Sequence, residues 1–171
     1  MTLDTPRLLA RYNTQTNAEM NRILATLAPE EWDADRGGYF SSFRSLTGHL
    51  YTADVHWLVR FTGRRPFAAV KGEVFDFPPS FGQPPFATRE EYLAARPILD
   101  ASIEAFVLEL TEADLAADLD YRNSRGESFT KNFGGLVLHM FNHQTHHRGM
   151  VSQLLDQMKK ANDYSNLTGL L

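Results

Sequence analysis

Four of the chain's six histidines fall between positions 139 and 147. In the run His139-Met140-Phe141-Asn142-His143-Gln144-Thr145-His146-His147-Arg148-Gly149, three of them (His139, His143 and His147) stand four residues apart. On a helix that spacing places them on one face, with neighbouring Cβ atoms about 5–6 Å apart. Two imidazoles so placed can converge on one metal ion, the geometry that H-E-x-x-H uses for zinc. Here Gln144 stands where that motif carries its glutamate, so the general base of those proteases is missing. An ion needs further ligands, and His49, beside Gly48, Thr52 and Ala53, is the best third. Three neutral nitrogens at about 2.0–2.1 Å plus a water would form a catalytic type of site with an exchangeable position. With no carboxylate among the ligands, the ion's charge would acidify a bound water or thiol. Spacing alone does not pair His49 with the distant histidines. Packed or surface histidines are the competing reading.

Other chemistries find less support. No histidine has a glutamate three residues before it, as the di-iron bundles require. There is no EF-hand loop, no phosphate-binding glycine loop and no G-x-S-x-G elbow. The absence of cysteine removes disulfides, thiolate-bound zinc, iron–sulfur clusters and a thiol nucleophile of the chain's own.

The elements that must position these side chains read as four long helices. The first starts near Thr5, with Pro6 at its first position, and Pro29 closes it; the polar stretch from Asn13 to Asn17 weakens its apolar stripe. The second runs from about Phe43 to Thr62 and carries His49, Thr52, Ala53 and His56 on one face. Residues 63–87 hold five of the eight prolines and five phenylalanines, which predicts a long loop that packs onto something. Thr88-Arg89-Glu90-Glu91 is a capping box that opens the third helix, which continues to about Leu110 and is kinked or divided at Pro97. Asn123-Ser124-Arg125-Gly126 is a turn signal within a short hairpin over 118–132. Asn132 caps the fourth helix, Phe133 to Lys159, where Gly134-Gly135 permits close packing; a tail of eleven residues follows. The expected fold is all-α, a four-helix bundle forming one domain over 1–171.

Length and composition agree. The chain has 171 residues, 43% apolar and 22% charged, with twelve Phe to fill a core. A net charge of −4 speaks against non-specific nucleic-acid binding. No apolar run approaches the ~18–20 residues of a membrane span, and the N-terminus lacks a signal-peptide pattern. A cytoplasmic setting is expected.

Two blocks carry a family resemblance: Leu46-Thr47-Gly48-His49-Leu50 followed by Asp54-Val55-His56-Trp57-Leu58, and Leu138 through Gly149. With Asp163-Tyr164-Ser165-Asn166-Leu167 near the end, the chain resembles the DinB/YfiT-like superfamily of metal-binding four-helix bundles. That resemblance implies a divalent metal, zinc or nickel and in some cases iron, held by His49, His143 and His147. His139 and His146 then become neighbours, His56 lies too far along its helix, Asp54 is structural and Arg148 forms a salt bridge or fixes an anion. A glutamine commonly follows the final His-Arg-Gly in relatives; Met150 stands there in this chain. The resemblance also implies a cytoplasmic homodimer acting on a small molecule, with thiol S-transfer using a low-molecular-weight thiol as the preferred activity. A metal-dependent hydrolase and a non-catalytic stress-response binding protein are the alternatives.

Overall fold

The computed structural model describes residues 1–171. It is predominantly helical, with seven α-helices and one two-stranded sheet. Four helices are long: α1 (Asp4–Leu24), α3 (Phe43–Phe61), α5 (Arg89–Glu109) and α7 (Phe133–Gln157). Three are short: α2 (Pro29–Asp33), α4 (Glu73–Asp76) and α6 (Glu112–Ala116). Strands β1 (Asp118–Arg122) and β2 (Ser128–Asn132) pair antiparallel, with Tyr121 opposite Phe129. Among the long helices, α1 packs on α5 and α7, and α3 on the same two.

Caps and turns explain most boundaries. Ser42 Oγ accepts from Ser45 N to open α3. The Thr88 hydroxyl accepts from Glu91 N while the Glu91 carboxylate accepts from Thr88 N, the expected capping box of α5. Asn132 Oδ1 accepts from Gly135 N at the start of α7. There Gly134 lies so close to Leu115 that a Cβ would stand 2.8 Å from its carbonyl oxygen.

Four expectations gain detail. Helix α1 begins at Asp4, with Thr5 and Pro6 inside its first turn, where a missing N–H costs nothing. Pro29 does more than end a helix: it opens α2 from the first position. Helix α5 is not divided at Pro97; an Arg96–Asp100 ion pair of 2.5 Å spans the proline along the same helix. The C-terminal tail is anchored at Tyr164. Buried Tyr164 donates from its hydroxyl to the Arg148 carbonyl at 3.2 Å and accepts from Ser152 Oγ at 2.8 Å.

The 63–87 segment is pinned at several points. The Glu109 carboxylate accepts from the backbone N–H of Ala68 and Ala69, and Arg65 pairs with Asp114 at 2.9 Å. Phe67, Phe75 and Phe86 enter the core, each burial being worth about 1.5–3 kcal/mol. Gly48 is the docking point on α3: a Cβ there would meet Pro85 Cδ at 3.0 Å and Pro84 at 3.2 Å. The loop therefore lies directly over the helix turn that carries His49.

Polar groups sit among the apolar ones. Arg96 and Asp54 are 1% and 0% exposed. Arg96 Nη1 donates to Asp54 Oδ2 at 2.7 Å and Nη2 to Asp100 Oδ1 at 2.5 Å. Asp100 Oδ1 also accepts from Asn13 Nδ2 and Asn17 Nδ2 of α1 at 3.0 and 2.9 Å. On α7, Gln144 Nε2 donates to Asp54 Oδ2, and Arg148 Nη1 donates to Asn13 Oδ1 at 2.5 Å and Asn17 Oδ1 at 3.3 Å. The polar stretch that breaks the apolar stripe of α1 is thus a buried half of a network joining all four long helices.

Removing one charge from this network strands its partners in a dry interior. Arg96→Met should cost about 3–5 kcal/mol, because Asp54 and Asp100 lose their cation together. Urea unfolding of wild type and variant measures it; a loss below about 1 kcal/mol would contradict the central role given to Arg96.

Candidate metal centre

Helices α3 and α7 bring His49, His143 and His147 together. One ring nitrogen from each lies within 4.8 Å of the others. His49 Nε2 and His143 Nε2 stand 3.0 Å apart. Ring centroids are 5.0 Å apart for His49 and His143, 4.7 Å for His49 and His147, and 4.3 Å for His143 and His147. The last pair follows from the i, i+4 spacing on one helix. The first two come from the packing of α3 against α7.

This donor set fits a divalent ion. Tetrahedral coordination at about 2.0–2.1 Å separates donor nitrogens by about 3.3 Å, inside the observed range. Ligation also needs neutral rings. Burial pulls the His143 pKa down to about 3, with the neighbouring histidines adding to the fall. His147 falls to about 4 for the same two reasons, and burial alone lowers His49. His143 Nδ1 is buried and unpartnered, so no carboxylate or carbonyl orients that ring, as often happens around metal-bound histidines. Packing does part of that work. Phe40 lies with its centroid 4.5 Å from His49 and 5.3 Å from His147.

The remaining histidines are placed elsewhere. His139 is exposed and packs edge-on against Trp57 at 5.2 Å; its ring is 6.3 Å from His143. His146 is exposed, touches His147 edge-on at 4.9 Å, and lines a separate cleft with Arg36 and Tyr39. His56 is outside the cluster: its Nε2 donates to the Pro79 carbonyl at 2.8 Å. Asp54 is structural, as expected. Arg148 is buried but makes no ion pair; it donates to the amide oxygens of Asn13 and Asn17 and to the Thr145 hydroxyl. Burial lowers its pKa, and α1 offers it neutral acceptors rather than a carboxylate.

A cleft of about 470 Å³ opens beside His49. Its walls come from Tyr39 and Phe40 before α3, from Ser80 to Pro84 of the long loop, and from Ser124 at the hairpin tip. Thr52, one turn beyond His49, lines it too; its buried hydroxyl has no hydrogen-bond partner. Sequence reading missed Tyr39 and Phe40. They lie in a short irregular segment, and no periodicity points such residues at a helix face.

The model of the DinB family matches residues 1–163. The chain belongs to the DinB family. In a structural comparison this DinB protein is similar to a DinB-like protein from Bacillus cereus, with a TM-score of 0.59 and 21% identity over 87% of this chain and 89% of that one. At that identity the likeness shows the fold alone. No curated protein matches the chain. Family membership and the three-histidine cluster together point to metal binding in this DinB protein. None of its helices is long and apolar enough to cross a membrane.

The depressed histidine pKa values couple folding to pH. An unfolded histidine binds its proton near its ordinary value of about 6.5, whereas folded His143 and His147 refuse one until about 3 and 4. Between those values the unfolded chain holds more protons, so stability rises with pH across that window and is lost as pH falls below about 6.5. Chelator-treated protein should show this slope in its thermal midpoint, and the His143→Gln, His147→Gln double variant should show a shallower one. Equal slopes would contradict the assignment.

Proposed function

We propose that the protein is a metal-dependent thiol S-transferase built as a four-helix bundle. One divalent ion, zinc or nickel, is held by His49, His143 and His147, and a low-molecular-weight thiol is the co-substrate. The convergence of three imidazoles beside an open cleft is the observation that carries the reading. A bound divalent ion supplies Lewis acidity, which lowers the pKa of a thiol that reaches it.

The protein's own groups do the rest. Burial lowers the pKa of all three rings, which favours the neutral form that offers a lone pair. Phe40 covers one side of His49 and His147 and limits water there. The unpartnered Thr52 hydroxyl can donate to or accept from a bound substrate. The reaction class is substitution at carbon. The thiol sulfur forms a bond to an electrophilic carbon, the leaving group departs with the bonding pair, and the thiol proton passes to solvent. The chain has no cysteine, so that sulfur must come from outside. No carboxylate lines the cleft to serve as a general base, which favours thiol transfer over hydrolysis by the same site.

The test is the metal content of protein purified without a histidine tag or nickel column, read by elemental mass spectrometry. About one equivalent is expected in wild type, retained in His146→Ala and lost in His49→Ala, His143→Ala and His147→Ala. Wild-type protein that carries no metal and takes up neither zinc nor nickel would overturn the proposal. So would full occupancy in both His49→Ala and His143→Ala. Loss of a model electrophile in the presence of thiol and loaded protein then tests the reaction class.

A cytoplasmic homodimer is the setting proposed with this function, as the family resemblance implies. Sedimentation velocity at micromolar concentration should give a dimer of the 19.4 kDa chain. A single monomeric species would contradict it.

A further inference from the structure

The cleft beside His49 has an unusual lining for a site around a metal. No aspartate, glutamate, lysine or arginine side chain borders it. Its polar groups are hydroxyls and one amide, Gln83, and its larger surfaces are the rings of Tyr39, Phe40 and Phe81. Charge in this cleft would therefore come from the ion alone. A ligand with a single anionic donor atom would be matched. A ligand with further carboxylates or phosphates would bring charges that lose water and gain no partner.

The aromatic wall is held in place. Phe81 stacks on His56 with centroids 4.6 Å apart and planes 27° apart. His56 in turn donates to the carbonyl of Pro79, two residues before Phe81. The Phe81 ring centroid also lies 6.1 Å from that of His49, and Phe81 is 37% exposed and lines the cleft. Across from it Phe40 packs on His49, with Tyr39 edge-on to Phe40 and 92% exposed. An aromatic side chain left this exposed in a concave site offers a face to another ring.

We propose that this cleft selects ligands whose body is uncharged and aromatic and whose only anionic group is the donor atom, and that Phe81, held by His56, sets the preference. The inference rests on the metal site proposed above and names the substrate class of that site. Thr52 adds a hydrogen bond near the donor atom, because its buried hydroxyl is otherwise unpartnered.

The test uses the full chain loaded with cobalt(II), whose sulfur-to-metal absorption reports thiol binding directly. The probes are phenylmethanethiol and mercaptosuccinate, two aliphatic thiols that differ in an aromatic ring against two carboxylates. Phenylmethanethiol should bind at least about tenfold tighter, the scale of one good ring–ring contact plus the desolvation of unpaired charge. Phe81→Ala should shrink that ratio to about threefold or less while cobalt affinity is unchanged, and Phe81→Tyr should retain it. A protein that takes up no cobalt overturns the metal site and this inference with it. A protein that takes up cobalt yet binds mercaptosuccinate as tightly as phenylmethanethiol overturns this inference alone. A preference that survives Phe81→Ala overturns the role of Phe81.

Discussion

The four long helices meet at a network of buried polar groups centred on the Arg96 guanidinium. Arg96 stands between Asp54 and Asp100, at 2.7 and 2.5 Å, with almost no solvent contact. A buried cation tolerates little displacement, because the desolvation cost is offset only while its partners stay in place. Asp54 belongs to α3 and Asp100 to α5, and α1 reaches Asp100 through Asn13 and Asn17. Helix α7 joins through Gln144 and Arg148. Apolar packing alone permits helices to slide and rotate at modest cost. A network of directed bonds between four helices does not, and it fixes the register in which α7 faces α3.

That register is what makes the histidine cluster. His143 precedes Gln144 and His147 precedes Arg148, so α7 carries two doublets four residues apart. The second member of each doublet points into the network. The first is turned about 100° around the helix axis, toward His49. A rotation of α7 that moved the rings away from His49 would also pull Gln144 from Asp54 and Arg148 from α1. The imidazoles contribute little attraction of their own and, if protonated, would repel. Their juxtaposition is imposed by the network beside them and by Phe40 packing on two of the rings.

The local chemistry of this arrangement was largely legible in the sequence. The four-residue spacing placed His143 and His147 on one face, the Thr88 and Asn132 caps placed two helix starts, and the density of proline placed the long loop. His49 was a candidate third ligand from its small neighbours, but only the family resemblance tied it to the pair, since nothing in spacing links residues so far apart. Other features were hidden for physical reasons. Asn13, Thr16 and Asn17 looked like an interruption of an apolar stripe, although their three- and four-residue spacing matched a buried face. Arg96 and Asp100 went unremarked in the sequence, because the partner that buries them, Asp54, lies on another helix. Tyr39, Phe40 and Phe81 lie in irregular backbone, where side-chain direction follows from tertiary contacts and not from a period.

The missing protease glutamate also has a structural reason. Gln144 occupies that position, and its side chain faces Asp54 rather than the cleft, donating an N–H to a carboxylate oxygen that Arg96 also serves. An ionised glutamate there could only accept. It would set two carboxylates against each other in a dry interior, with one guanidinium already shared between Asp54 and Asp100. The amide supplies a donor where the network needs one. The same helix position that would aim a general base at a metal-bound water in another fold is here committed to holding α7 against α3. The geometry that assembles the three rings thus leaves no carboxylate of α7 beside them at the position where the zinc-protease motif carries its base.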